Sequence, residues 1–330
     1  GGSVTAGTVS CPTVDVAITI DAGTALAAVE SSSHSLVVTP NQHGAIVSLQ
    51  GGPVPADRDL VLRWRSQLQP TASASLLIEE NNGERYGLLT LLPPDLASSE
   101  AGGFPTETLF VIDVSGSMEG PSIEQAKAAV ASALGRLRPG DSFNLLSFNE
   151  CSAAMSEAFQ PYGASEIDRA QSWVTALRAE GGTEIGGALT RAIEMLGASR
   201  FAGEQRIVLI TDGAVDNEME LMSQIHQKLG TVRLHVIGIG AAPNRWLMRK
   251  LAEFGRGACR FIGSIDEVEA GMNDFLQRID RPVWSDISLQ WSGPAPLESY
   301  PERAPDLYGD EPIVLLLKLD PGGAAPTLTV

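Results

Sequence analysis

Leu109-Phe110-Val111-Ile112-Asp113-Val114-Ser115-Gly116-Ser117-Met118 is an apolar run that empties into one carboxylate and two hydroxyls. Continuous apolar runs of this length mark strands buried on both faces of a sheet. Side-chain alternation along extended chain sends Asp113, Ser115 and Ser117 the same way. In an open parallel sheet ligands bind just beyond the carboxyl ends of the strands, so these three residues are candidate ligand groups. A second apolar run, over 206–211, ends in Thr211-Asp212-Gly213 and delivers another carboxylate to the same edge. The loop Gly181-Gly182-Thr183 precedes a helical pattern and offers a third hydroxyl. Two carboxylates and three hydroxyls, without sulfur or imidazole, form an oxygen-only set suited to Mg²⁺, Mn²⁺ or Ca²⁺. Neutral hydroxyls leave such an ion under-neutralised, and a partner's carboxylate could complete both its charge and its coordination. The plainer alternative makes Ser115 or Ser117 the N-cap of a helix starting at Ser122, and 211–213 a simple turn.

Outward from this motif, apolar strand runs alternate with helical patterns, the order that builds a mostly parallel sheet with helices on both faces. Strands are expected over 109–114, 142–148, 206–211, 233–239 and 258–262. Helices are expected over 122–137, 165–179, 187–196, 218–228, 245–254 and 265–279. The first hundred residues read instead as strands, over 14–20, 35–39, 45–49, 60–65, 76–80 and 85–92. Asn81-Asn82-Gly83 marks a hairpin between the last two. After Arg281-Pro282, strands return over 283–291, 313–319 and 327–330. The expected organisation is a β-rich segment over 1–105, an α/β domain over 106–281, and strands over 282–330 that complete the N-terminal β domain as a sandwich. No internal repeat is visible.

Composition narrows the function classes. Forty acidic against 23 basic residues give a formal charge of −17, which repels nucleic-acid phosphates and anionic lipid. No apolar run approaches the ~20 residues of a membrane helix, and no signal peptide is apparent at the start. Cys11, Cys151 and Cys259 stand far apart, and His34, His43, His226 and His235 lack metal-ligand spacing. The five tryptophans read as packing residues.

Together, Asp113-Val114-Ser115-Gly116-Ser117, Gly181-Gly182-Thr183 and Thr211-Asp212-Gly213 resemble the metal-ion-dependent adhesion site of von Willebrand factor type A domains, over about 108–281. More narrowly, Arg138-Pro139-Gly140-Asp141-Ser142-Phe143-Asn144, Gly238-Ile239-Gly240-Ala241-Ala242-Pro243-Asn244 and Arg281-Pro282-Val283 resemble bacterial relatives of inter-alpha-trypsin inhibitor heavy chains, including the proteobacterial sortase targets. The flanks at Val54-Pro55-Ala56-Asp57-Arg58-Asp59 and around Tyr300-Pro301 and Asp306-Leu307-Tyr308 are similar to the β segments of that family. The resemblance implies one divalent cation, Mg²⁺ first with Mn²⁺ or Ca²⁺ as alternatives. Asp113, Ser115 and Ser117 would bind it, Thr183 would join directly or through water, and Asp212 would sit close behind. It implies a protein partner that presents a carboxylate, and a place at the cell surface, in the periplasm or outside the cell. Met118, Glu184 and Asp216 are expected on the partner-binding rim, the two acids as solvated groups.

Enzymatic readings fit less well. A haloacid-type phosphatase with Asp113 as nucleophile needs a second Asp at the position of Ser115. Gly116-Ser117-Met118-Glu119-Gly120 puts its serine one place early for a nucleophile elbow, and Gly238-Ile239-Gly240 lacks the third glycine of a dinucleotide fingerprint because Pro243 stands there. The expectation is a metal-dependent binding module and not an enzyme. The alternatives are a metal-dependent hydrolase, or a structural assembly protein whose metal site is vestigial.

Overall fold

The strand Thr106–Asp113, which carries the first motif at its carboxyl end, forms the middle of a seven-stranded sheet. In the computed structural model, residues 12–95, 105–213, 222, 228–240, 243–280, 282–284, 287–292, 294–302, 304–308, 312–322 and 327–329 are described. Contacts divide the chain into two units. One comprises Gly1–Ser98, Leu289–Arg303 and Asp310–Val330, the other Ser99–Ser288 with Ala304–Gly309.

In the second, α/β unit the strands are β1 (Thr106–Asp113), β2 (Ser142–Phe148), β3 (Ser152–Ala154), β4 (Gln160–Pro161), β5 (Glu204–Thr211), β6 (Arg233–Ile239) and β7 (Arg256–Ile262). Their order is β3-β2-β1-β5-β6-β7, with β4 also pairing β2. β1, β2, β5, β6 and β7 run parallel, while β3 and β4 lie antiparallel to β2. The helices are α1 (Pro121–Leu134), α2 (Ala164–Ala176), α3 (Ile185–Ala198), α4 (Arg245–Phe254) and α5 (Val268–Ile279). The expected helix over 218–228 lies mostly outside the described residues.

Alternation along the strands divides two cores. Phe110, Ile112, Phe143, Leu145, Val208 and Ile210 pack with α1, α2 and α5. Leu109, Val111, Leu146, Ile207, Leu209 and Val236 pack on the other side with α3 and α4. Burial on both faces is the reason the middle of these runs is mostly apolar, with Asn144, Ser147 and His235 as buried polar exceptions. The first strand sits between β2 and β5, with α1 on one face and α3 on the other, so the topological switch point falls at its carboxyl end.

The β-rich unit joins strands from both ends of the chain. Its four-stranded antiparallel sheet has the order Glu298–Tyr300, Ile313–Leu319, Glu84–Leu92, Ser73–Asn81. The Asn82-Gly83 hairpin forms as expected, both residues at positive φ. A three-stranded sheet pairs Ala17–Asp21, Gly44–Leu49 and Leu36–Pro40. The strand Leu26–Glu30 is an addition to the expected set.

The C-terminal stretch divides differently from the expected boundary at 282. In place of one strand over 283–291 there are two, Pro282–Trp284 and Gln290–Ser292. The first belongs to the α/β unit and pairs with Leu307–Tyr308, a segment that returns to that unit. Arg233, at the start of β6, supplies the reason. Its guanidinium is buried and needs an opposite charge, and Asp306 meets Nε at 2.5 Å with its own side chain fully buried.

Removing one partner of a buried ion pair strands the other charge. Asp306→Ala is therefore expected to lower unfolding stability by about 3–5 kcal/mol in urea titrations. Arg233→Met with Asp306→Leu, which removes both charges, should recover most of that loss.

A second test concerns His235 in β6. The ring is fully buried, accepts a hydrogen bond from the Ala258 N–H at 3.0 Å through Nδ1, and lies edge-on to Phe275. Burial, with the charges of Arg206, Arg233 and Arg278, holds its pKa well below the usual histidine value. The unfolded chain then binds a proton that the folded chain refuses, so this contribution to stability is present above the ordinary histidine pKa. It declines as pH falls below that value, by at most about 1.4 kcal/mol per pH unit for one proton. His235→Asn is expected to flatten the slope of unfolding free energy between pH 7 and 5 relative to wild type.

Candidate metal site

Asp113 ends β1 with no exposed surface, where the central strand gives way to loop. Its Oδ1 accepts the Ser115 backbone N–H at 2.9 Å, and its Oδ2 accepts the Thr211 hydroxyl at 2.6 Å. Thr211 Oγ1 in turn accepts the Gly213 N–H at 2.9 Å. This chain of bonds ties the motif after β1 to the turn after β5. Burial pushes the Asp113 carboxyl above the ordinary carboxylate range. Hydrogen bonds from Ser115 and Thr211 pull it back, and the Asp212 charge adds to the rise.

The chain then makes a short 3₁₀ turn, Gly116–Met118. Ser115 stands at its N-cap without a side-chain cap bond, and α1 starts after Gly120. Neither serine caps α1, contrary to the first part of the plainer alternative, while its second part, a turn over 211–213, is present. Ser115 Oγ lies 3.1 Å from Ser117 Oγ, and Ser117 is exposed. A buried carboxylate, two clustered hydroxyls and an opening to solvent at Ser117 suit a small hard cation.

The third loop docks by its backbone. The Gly116 N–H donates to the Gly181 carbonyl at 2.9 Å, and the Glu180 N–H to the Val114 carbonyl at 2.8 Å. A Cβ on Gly116 would stand 3.2 Å from that Gly181 oxygen, and Gly181 itself has φ +80°, so both glycines serve the close approach. Asn149, just past β2, braces the same loop: its side-chain amide donates to the Glu180 carbonyl at 3.0 Å and its carbonyl accepts the Glu184 N–H at 2.8 Å. Thr183, half-buried, and Glu184, exposed at the N-cap of α3, follow directly. Asp212 is half-buried, and its carbonyl accepts the Asn244 N–H at 3.2 Å, which seats α4 beside the turn.

Among the described residues no three His, Cys, Asp or Glu side chains converge. The donor set consists of two carboxylates supplemented by hydroxyls, the composition read from the sequence. Met118 is a correction. It is fully buried and belongs to the core under α1, because the 3₁₀ turn brings the third residue after Ser115 back over the strand. It forms no part of a rim. Asp216 lies outside the described residues. Trp246, read as packing, is 53% exposed. Thr211 and Asn149 went unread as site residues. The strand-end position of Thr211 beside Asp212 carried the signal for the first, and nothing local marked the second.

Residues 106–261 match the von Willebrand factor type A domain family. Human inter-alpha-trypsin inhibitor heavy chain H4 is 28% identical over 240 residues, covering 68% of this chain and 26% of that protein. Human von Willebrand factor A domain-containing protein 5B1 is 28% identical over 212 residues, covering 63% and 17%. The chain thus spans about a quarter of the length of the heavy chains it matches. Among solved structures, a von Willebrand factor type A protein from Catenulispora acidiphila aligns with TM-score 0.59 at 18% identity, covering 77% of this chain and 66% of the other. The ArnB paralog VWA2 from Sulfolobus acidocaldarius aligns with TM-score 0.51 at 19% identity, covering 76% and 67%. At such identities the structures speak for fold alone. Strand order, motif placement and these matches agree, and the α/β unit of this chain is a von Willebrand factor type A domain.

Proposed function

We propose that this chain is a protein-binding module whose α/β unit holds one divalent cation, Mg²⁺ first, through Asp113, Ser115 and Ser117. Thr183 joins directly or through water, Asp212 sits close behind, and an acidic group of a partner protein completes the coordination. The observation that carries this reading is the Ser115–Ser117 hydroxyl pair beside a buried Asp113 whose two oxygens are already oriented by the Ser115 N–H and by Thr211. Type A domains as a family often mediate metal-dependent protein–protein contacts, which agrees with it.

The reading is non-enzymatic. An aspartate nucleophile has to approach its substrate, whereas Asp113 is fully buried and accepts hydrogen bonds at both oxygens. On the family resemblance we place the protein at the cell surface, in the periplasm or outside the cell. Among the described residues no helix is long and apolar enough to cross a membrane.

An ion that binds only the folded state raises its apparent stability, by about 2.7 kcal/mol at a hundred times its dissociation constant. A thermal melt in EDTA followed by Mg²⁺, Mn²⁺ or Ca²⁺ should show an upward shift for wild type. None is expected for Asp113→Ala, and a reduced one for Ser117→Ala, whose exposed position spares the fold. Equal shifts in all three proteins would place the ion elsewhere and sink the proposal. Thr211→Val keeps the shape of the side chain but removes the hydroxyl that orients Asp113. It should weaken ion affinity by about tenfold or more, read by titration calorimetry, whereas unchanged affinity would remove Thr211 from the site.

A further inference from the structure

The strongest unexplained feature of the α/β unit is a pair of arginines on α4. Arg245 and Arg249 are exposed, and both guanidinium groups lie over the ring of Phe261 in β7, at 4.4 and 5.7 Å from its centroid. Neither makes an ion pair among the described residues. The arrangement is unfavourable on two counts. Like charges one helical turn apart repel, and Arg245 is the first residue of α4, where the helix dipole disfavours a cation. Stacking on the aromatic face holds the two groups in fixed positions despite this cost. An anion lying between them would relieve both.

The place of the pair decides which anion. In the sheet register Thr211 pairs with Gly238, and Gly238 pairs with Phe261. Asp113 lies abreast of Thr211 in the neighbouring strand, so three strand spacings, about 14 Å, separate Phe261 from the end of β1. Phe261 and α4 lie on the α3 face of the sheet, and the Asn244 N–H joins the start of α4 to the Asp212 carbonyl. Trp246, 53% exposed, stands beside Arg245 on the same first turn.

We propose that Arg245 and Arg249 form a second carboxylate subsite for the same partner, so that the ligand is an acidic protein segment carrying two carboxylates about 14 Å apart. One would complete the metal and the other would lie across the arginine pair. In an extended segment at about 3.3 Å per residue, that spacing corresponds to acidic residues about four positions apart. The proposal deepens the metal-site reading and rests on it for the first carboxylate only.

The probe is a fluorescein-labelled peptide with two glutamates about four positions apart in a Gly-Ser background, compared with the same peptide carrying Gln at the second. Anisotropy is read on the full chain in Mg²⁺ and in EDTA. Wild type in Mg²⁺ should bind the two-glutamate peptide about five- to tenfold more tightly. Arg245→Ala with Arg249→Ala should erase that preference, leaving the one-glutamate peptide and the Mg²⁺ melting shift as in wild type. Arg245→Lys with Arg249→Lys should retain part of the preference. Equal affinity of wild type for the two peptides, a preference that survives the double alanine variant, or no binding of either peptide at millimolar concentration would each overturn the subsite. An arginine-dependent preference that persists unchanged in EDTA supports the subsite while removing the metal from it, so the two readings fail separately.

Discussion

Everything at the candidate site depends on one carboxylate being held where carboxylates are costly. Asp113 terminates the central strand of a sheet covered on both faces, and its burial disfavours the charged form. The structure offsets this with hydrogen bonds from the Ser115 N–H and the Thr211 hydroxyl. Those bonds also determine the loops. Ser115 N–H can reach Oδ1 only if the chain turns sharply after Val114, and Thr211 can reach Oδ2 only if β5 lies beside β1 in the observed register. The site is thus a consequence of sheet order as much as of the motif.

That dependence explains how much was legible in the sequence. The parallel strands were readable because a strand buried on both faces must be continuously apolar, and a carboxylate directly after such a run is conspicuous. The pairing of Ile313–Leu319 with Glu84–Leu92, which draws both chain ends into one sheet, was foreshadowed by strand patterns on either side of the α/β pattern. Other features were set by long-range contacts. Ser152–Ala154 is a strand only because it adds to the edge of β2, and Leu-Ala-Ala-Val-Glu over 26–30 has helix-favouring composition that pairing with Arg63–Ser66 overrides. Met118 was misplaced because its position depends on a 3₁₀ turn that the motif alone does not specify. Asp306 lies 73 residues from Arg233, a separation no local pattern bridges.

The ion pair at the start of β6 and the hydrogen-bonded cluster at the end of β1 sit at opposite ends of the sheet, and both solve the same problem. A parallel strand has no room for charge along its length, so charge collects at its two ends. At the amino ends Arg206 meets Asp280 at 2.9 Å and Arg233 meets Asp306 at 2.5 Å, closing the charges on one another within the chain. At the carboxyl end of β1 Asp113 is held by hydrogen bonds from Ser115 and Thr211, with the like charge of Asp212 nearby. The first arrangement is complete in itself. The second is the kind that a cation completes, and the asymmetry accords with ligands binding at carboxyl ends.

Charge also bears on what the proposed ion would do for an acidic partner. A surface with formal charge −17 repels an acidic segment at long range, and Asp113 with Asp212 repels it again at contact. A bound divalent cation reverses the sign locally, since such an ion is the largest charge in its site. Arg245 and Arg249 add positive charge on the α4 side of the same edge, whereas Glu150, Glu180 and Glu184 line the other side. Among the described residues, a partner acid would meet attraction from the proposed ion toward α4, and repulsion on the side of Glu150, Glu180 and Glu184. Orientation of the partner would follow from that gradient, with shape complementarity acting only after the segment has been turned into register.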